Sequence, residues 1–214
     1  MRVPPPAVPE DRLDGWQRVE SSVERPFDAG IVRATAHTLV YEDEERRDRI
    51  AERTRERRIR RFFFASRVLL TPRPPASRTL LRLVADRSMA GFEDELRERG
   101  LRSVERAEVR QFDVRGHDAR LARYDARSRA VARVVTVQGW LAVWPTDARG
   151  EFLLAGGAYP TGVDEPPTDG SDDSSFHGSD GAEGNESDEA AALSETFDPE
   201  RFREELFELI RTTR

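Results

Sequence analysis

The chain has 214 residues, no cysteine, and 41 acidic residues against 35 basic ones, for a formal charge of −6. Disulfides and thiolate metal sites are therefore excluded. The longest apolar stretch, around Val134 to Trp144, is broken by Gln138 and Gly139 and is about half of the ~20 residues a membrane span needs.

In chain order, the opening Met1-Arg2-Val3-Pro4-Pro5-Pro6 has no apolar run behind it. It therefore predicts a flexible N-terminus over residues 1–12, no leader, and a cytoplasmic location. Ile31 to Tyr41 reads as a strand by alternation, with Val32, Ala34, Ala36 and Val40 on one side. Glu42 to about Arg55 is helical by propensity but almost wholly charged, with Glu42/Arg46 and Glu45/Arg49 at supporting spacing, so a surface helix is expected. Phe62 to Thr71 predicts a strand that ends at the prolines 72, 74 and 75. Two helices should follow. One spans Arg78 to Ala85; the other carries Phe92 and Leu96 and stops at Gly100, with Leu96 and Leu101 placed for a Schellman contact.

The remainder reads as a meander. Val104 to Val114 turns at Arg115-Gly116 into Asp118 to Ser128, and Ala130 to Trp144 and Phe152 to Tyr159 follow. Along Ala130 to Trp144, Val135, Val137, Leu141 and Val143 face one way and Val134, Trp140, Ala142 and Trp144 the other. A strand apolar on both sides is a central one with both faces covered, or one with an aromatic groove. The closing helix is well signalled. Asp198 is its N-cap, Pro199 its first residue, Phe197 and Phe202 its staple, and Phe202, Leu206, Leu209 and Ile210 its apolar face.

Between meander and closing helix, residues 161–196 hold eleven acidic residues and no arginine. Such a stretch gains too little from burial to offset the entropy of ordering, so a disordered acidic insertion is expected. Because the closing helix needs a body to dock on, the insertion interrupts a single domain made of residues 13–160 plus 197–214. Outside it the chain keeps 30 acids against 35 arginines, a formal +5. Lysine is absent altogether, and with a pI near 5.3 that bias predicts a halophilic source over a merely GC-rich one.

Few residues carry recognisable chemistry. No nucleophile elbow, phosphate loop, dinucleotide fingerprint or zinc spacing is present. His117 beside Asp118 sits at the Gly116 turn, where a solvated pair is the ordinary outcome. His37 alternates with Arg33 and Thr35 on the wetter side of its strand, and His177 lies in the acidic stretch. No metal or other cofactor is expected, and no enzyme activity. Gly156-Gly157 signals a bulge or close packing against the final helix more than a phosphate site. The strongest binding candidate is the run Arg46 to Arg61, nine arginines against Asp48, Glu52 and Glu56. Arg53, Arg55, Arg57, Arg58, Arg60 and Arg61 could hold nucleic acid or another polyanion, although no aromatics are interleaved to stack bases.

Gly91-Phe92 with Leu96 and Gly100, Gly116 to Arg120, Gly139 to Val143 and Ala155 to Pro160, followed by the closing helix, resemble the PsbP-like fold. They are also similar to an uncharacterised haloarchaeal family with the same ending. The resemblance implies an α+β class, an antiparallel β-sheet flanked by helices with the long acidic loop before the C-terminal helix. It brings no catalytic residues. The expected function is a non-catalytic binding or scaffold protein with a macromolecular, chiefly protein, partner. The alternative is a polyanion or nucleic-acid binder using the arginine run.

Overall fold

A computed structural model describes residues 3–28, 33–48, 61–130, 133–164 and 197–214. Its frame is one seven-stranded sheet. In chain order the elements are β1 (Trp16–Asp28), β2 (Arg33–Asp43), β3 (Phe62–Thr71), α1 (Arg78–Glu98), β4 (Arg102–Val114), β5 (His117–Ala130), β6 (Arg133–Pro145), β7 (Glu151–Asp164) and α2 (Pro199–Thr212). The spatial order is β1-β2-β3-β7-β6-β5-β4, and every neighbouring pair is antiparallel. Two meanders, β1 to β3 and β4 to β7, are thus joined edge to edge by the pairing of β3 with β7.

Period-two patterning gives each face of the sheet its own core. On one face Ala34, Ala36, Val68, Leu70, Val135, Val137 and Leu141 meet Leu81, Ala85, Met89, Phe92 and Leu96 of α1. On the other, Leu39, Phe63, Ala65, Leu121, Trp140 and Ala142 meet Phe202, Leu206, Leu209 and Ile210 of α2. β6 contributes to both cores, as a strand apolar on both sides must. Gly156 and Gly157 lie mid-strand in β7. A Cβ there would run into the carbonyl oxygens of Trp140 and Phe62, so the close packing is against the neighbouring strands and not against α2.

Local chemistry sets several boundaries. Ser77 caps α1 by accepting from the Leu80 amide, and Leu101 N–H to Leu96 C=O (3.1 Å) with Gly100 N–H to Arg97 C=O (2.9 Å) completes the Schellman pattern. Gly100 takes φ +86°, a left-handed value that glycine adopts at little cost. Arg115 and Gly116, both at positive φ, form the tight β4–β5 hairpin turn. In α2 the Asp198 carboxylate accepts from the Arg201 amide, and Pro199 begins the helix.

Several expectations are corrected. The α+β class gives way to a β-rich one, because strands of 10–14 residues carry most of the described residues, among which two long helices accompany them. The two expected helices after β3 are one continuous helix of 21 residues, since nothing in Asp86 to Gly91 breaks it. The first meander gains an edge strand, β1, that carries little alternation to announce it. Its Pro26, which cannot donate to a ladder, falls at a register irregularity between Glu24 and Phe27. The surface helix expected from Glu42 begins later: β2 runs through Asp43, Glu42 and Asp43 are buried, and residues 44–48 are helical. The N-terminal segment expected to be flexible is docked. Val3 is 2% exposed, its carbonyl accepts from His37 Nδ1 (3.0 Å), and Ala7 exchanges two backbone hydrogen bonds with Arg214. β7 takes in the first four residues of the expected acidic insertion, with Val163 packing on the α1-side core. Residues 165–196 lie outside the described residues.

Candidate functional site

The two layers are not matched in width. α1 packs chiefly over β6, β5 and β4, and among the described residues no helix lies directly over the same face of β1, β2 and β3. The result is a groove of about 560 Å³ between α1 and the first meander. Its floor follows from strand periodicity: Ala34, Ala36, Thr38 and Val40 of β2 alternate with residues of the α2-side core, and Phe62, Phe64, Ser66, Val68 and Leu70 of β3 lie beside them. Its wall is a second stripe of α1. The stripe Leu81, Ala85, Met89, Phe92, Leu96 is buried. One residue around the helix, Leu80, Val84, Ser88, Gly91 and Glu95 face the groove.

Small side chains keep the groove open. An added Cβ at Gly91 would find nothing within 4 Å, and Leu83 is 57% exposed at the lip. The polar groups of the floor satisfy each other, Thr38 Oγ1 and Ser66 Oγ lying 2.8 Å apart. Glu20, Ser22 and Glu24 of β1 form the outer rim. This is a mainly apolar concavity, of a size typical for small-molecule sites.

Of the sequence-predicted arginines, Arg61 is the one among the described residues. Arg53, Arg55, Arg57, Arg58 and Arg60 fall outside the described residues. Arg61 is described, and it is not a surface cation. Its side chain is 5% exposed, and Nη1 donates to Asp43 Oδ2 (3.0 Å) and Glu205 Oε2 (2.7 Å). Its guanidinium also stacks 4.7 Å from Trp16 and 4.8 Å from Phe202. Arg46, the first residue of the run, joins the same cluster through Asp43 (3.3 Å) and Glu205 (3.4 Å). These arginines fasten the ends of β2 and β3 to α2. Burial raises the Asp43 carboxyl, only partly offset by the Arg46 amide and the Arg61 guanidinium. Burial would also raise Glu205, but hydrogen bonding from Arg201 and the charge of Arg61 outweigh it and hold this carboxyl low.

His37 spans Val3 and Ser21 on the face opposite the groove. His117 opens β5 at the hairpin, opposite Val114. The groove escaped sequence reasoning because splitting α1 in two hid its second stripe. With Arg78 to Glu98 read as one helix, Leu80, Val84 and Gly91 at i, i+4 and i+11 would have marked an apolar face beyond the buried one.

Among the described residues, a single antiparallel sheet with one long helix packed on each face, and an apolar groove beside the first helix, defines the class of protein. The chain belongs to the family described as Domain of unknown function (DUF6517), which matches residues 5–214. No curated protein matches it. Among the described residues, no helix is long and apolar enough to cross a membrane.

Proposed function

We propose that this is a non-catalytic binding protein whose ligand site is the groove between α1 and the first meander, and whose ligand is elongated and apolar. The observation that carries the reading is the apolar concavity in which the floor of β2 and β3 faces the second stripe of α1. A ligand that displaces water from this lining gains about 25 cal/mol for each Å² of apolar surface it covers. The binding role follows the expectation drawn from the sequence, with the ligand moved from a macromolecule to a small apolar molecule. A cytoplasmic location belongs to the same proposal.

The test uses an uncharged apolar fluorophore, N-phenyl-1-naphthylamine, titrated into the full chain. Saturable enhancement is expected for the wild type. Gly91→Trp starts a large side chain where an added Cβ meets nothing within 4 Å, and it should fill part of the groove and weaken binding about tenfold or more, the equivalent of about 1.4 kcal/mol. Its thermal midpoint should not fall. Undiminished binding in Gly91→Trp, or no saturable binding in the wild type, overturns the assignment.

A further inference from the structure

We infer that the groove is the tail compartment of a site for a single-chain amphiphile with an anionic head, the head lying in an arginine cleft formed by Arg99, Arg102 and Arg129. The inference rests on the groove reading and adds the polarity of the ligand.

A second cavity, of about 490 Å³, opens at the C-terminal end of α1, where Gly100 to Arg102 pass the ends of β5, β6 and β7. It shares two lining residues with the groove, Phe62 and Arg99, so the two spaces adjoin across one side-chain pair. Among the described residues, its lining contains three arginines and no carboxylate. Arg99 is the fixed member. Its guanidinium lies 4.3 Å from the Phe62 ring centroid, Nε donates to Glu95 Oε1 (2.6 Å), and Nη1 lies 3.8 Å from Glu42 Oε1. Arg102 and Arg129 have no acidic partner among the described residues. Nearby arginines differ: Arg97 pairs with Asp94, and Arg106 with Glu93. Across the β4–β5 ladder Arg102 stands opposite another arginine, Arg127. Arg99 is already paired with Glu95 and Glu42, so the attraction for an anion comes from Arg102 and Arg129. Guanidinium groups suit phosphate or carboxylate heads because their planar donor fork matches two oxygens at once.

The rest of the geometry orients the chain. α1 returns antiparallel to β3, so Leu80 and Leu70 mark one end of the groove and Arg99 and Phe62 the other. From Ala34 to Val40 the floor extends about 20 Å at ~3.3 Å per residue, an extended hydrocarbon chain's worth of apolar track. Glu20 and Glu24 on the β1 rim and Asp94 and Glu95 on α1 border this track and disfavour an anionic head along it. The adjoining arginine cleft is where the described lining favours negative charge.

Calorimetry on the full chain tests this with dodecyl phosphate, dodecanol and inorganic phosphate, each below any micelle-forming concentration. Dodecyl phosphate should bind about tenfold or more tighter than dodecanol, the scale of one charge-assisted hydrogen bond. In a series of shorter alkyl phosphates, each added methylene should tighten binding about fourfold. The double variant Arg102→Ala/Arg129→Ala removes exposed side chains, so its unfolding midpoint should hold. It should lose the preference for phosphate while keeping the affinity for dodecanol. Equal affinity of the two dodecyl compounds, or unchanged dodecyl phosphate binding in the double variant, overturns the inference and leaves the groove standing. Inorganic phosphate binding as tightly as dodecyl phosphate also overturns it, because the cleft would then act without the groove. Failure of the uncharged fluorophore to bind sinks the groove reading instead.

Discussion

Removing the Arg61 guanidinium should cost folding stability and not surface binding. Arg61 and Asp43 are each 5% exposed and 3.0 Å apart, and Glu205 completes the cluster at 2.7 Å. In Arg61→Ala the Asp43 carboxylate stays buried with its main cationic partner gone. Such a break in a buried pair costs about 3–5 kcal/mol, against about 0–1 kcal/mol for a surface pair. For a chain of this size that is a fall of roughly 6–20 °C in thermal midpoint. Urea denaturation of the wild type, Arg61→Ala, Asp43→Asn and the double variant Arg61→Met/Asp43→Asn provides the assay. The double variant should lose less than the sum of the single losses, because it strands no charge at the buried Asp43 position and keeps an apolar side chain against Trp16 and Phe202. A loss below about 1 kcal/mol in Arg61→Ala would refute the buried-clamp reasoning and return Arg61 to the solvated run.

Leu206, 2% exposed beneath α2, should cost about 2–5 kcal/mol on truncation to Ala in the same assay, and a loss under about 0.5 kcal/mol would show that α2 is not docked. Acid should act through Glu205, whose carboxyl is held below its ordinary 4.5. A depressed carboxyl contributes stability that is present above 4.5 and lost as pH falls through the lower folded value, whereas the raised Asp43 carboxyl is relieved of a penalty over its own range. Wild type should therefore exceed Glu205→Gln in urea midpoint at about pH 6, with the gap shrinking as pH falls below the ordinary carboxylate range; a constant gap would disprove the linkage.

Signals confined to neighbouring residues were legible from the text of the chain. The span Phe62–Thr71, the Arg115-Gly116 turn, the Gly100 stop with its Leu96–Leu101 partner, and the Asp198-Pro199 start of α2 each depend on a few residues' backbone preferences. The two-sided character of β6 was legible for the same reason, since alternation records how many faces are covered. β1 was not, because an edge strand whose Val19 and Val23 stay about half exposed has no strong alternation to display. The arginine run shows the limit of charge counting. Arg61 looks in sequence like its neighbours, yet it is internal because β3 begins there, under α2 and beside Asp43.

Local chemistry alone thus determined most strands and both helix ends, because caps, turns and period-two patterning act over a few residues. Only the tertiary structure decided the groove and the arginine cleft. Whether Leu80, Val84 and Gly91 face water or a cavity depends on where α1 crosses a sheet whose order, with β3 against β7, no local pattern records. Arg99, Arg102 and Arg129 come from a helix end and two different strands. The entropy of bringing such distant residues together is met by the whole fold's burial, so their proximity is a property of packing and not of sequence spacing.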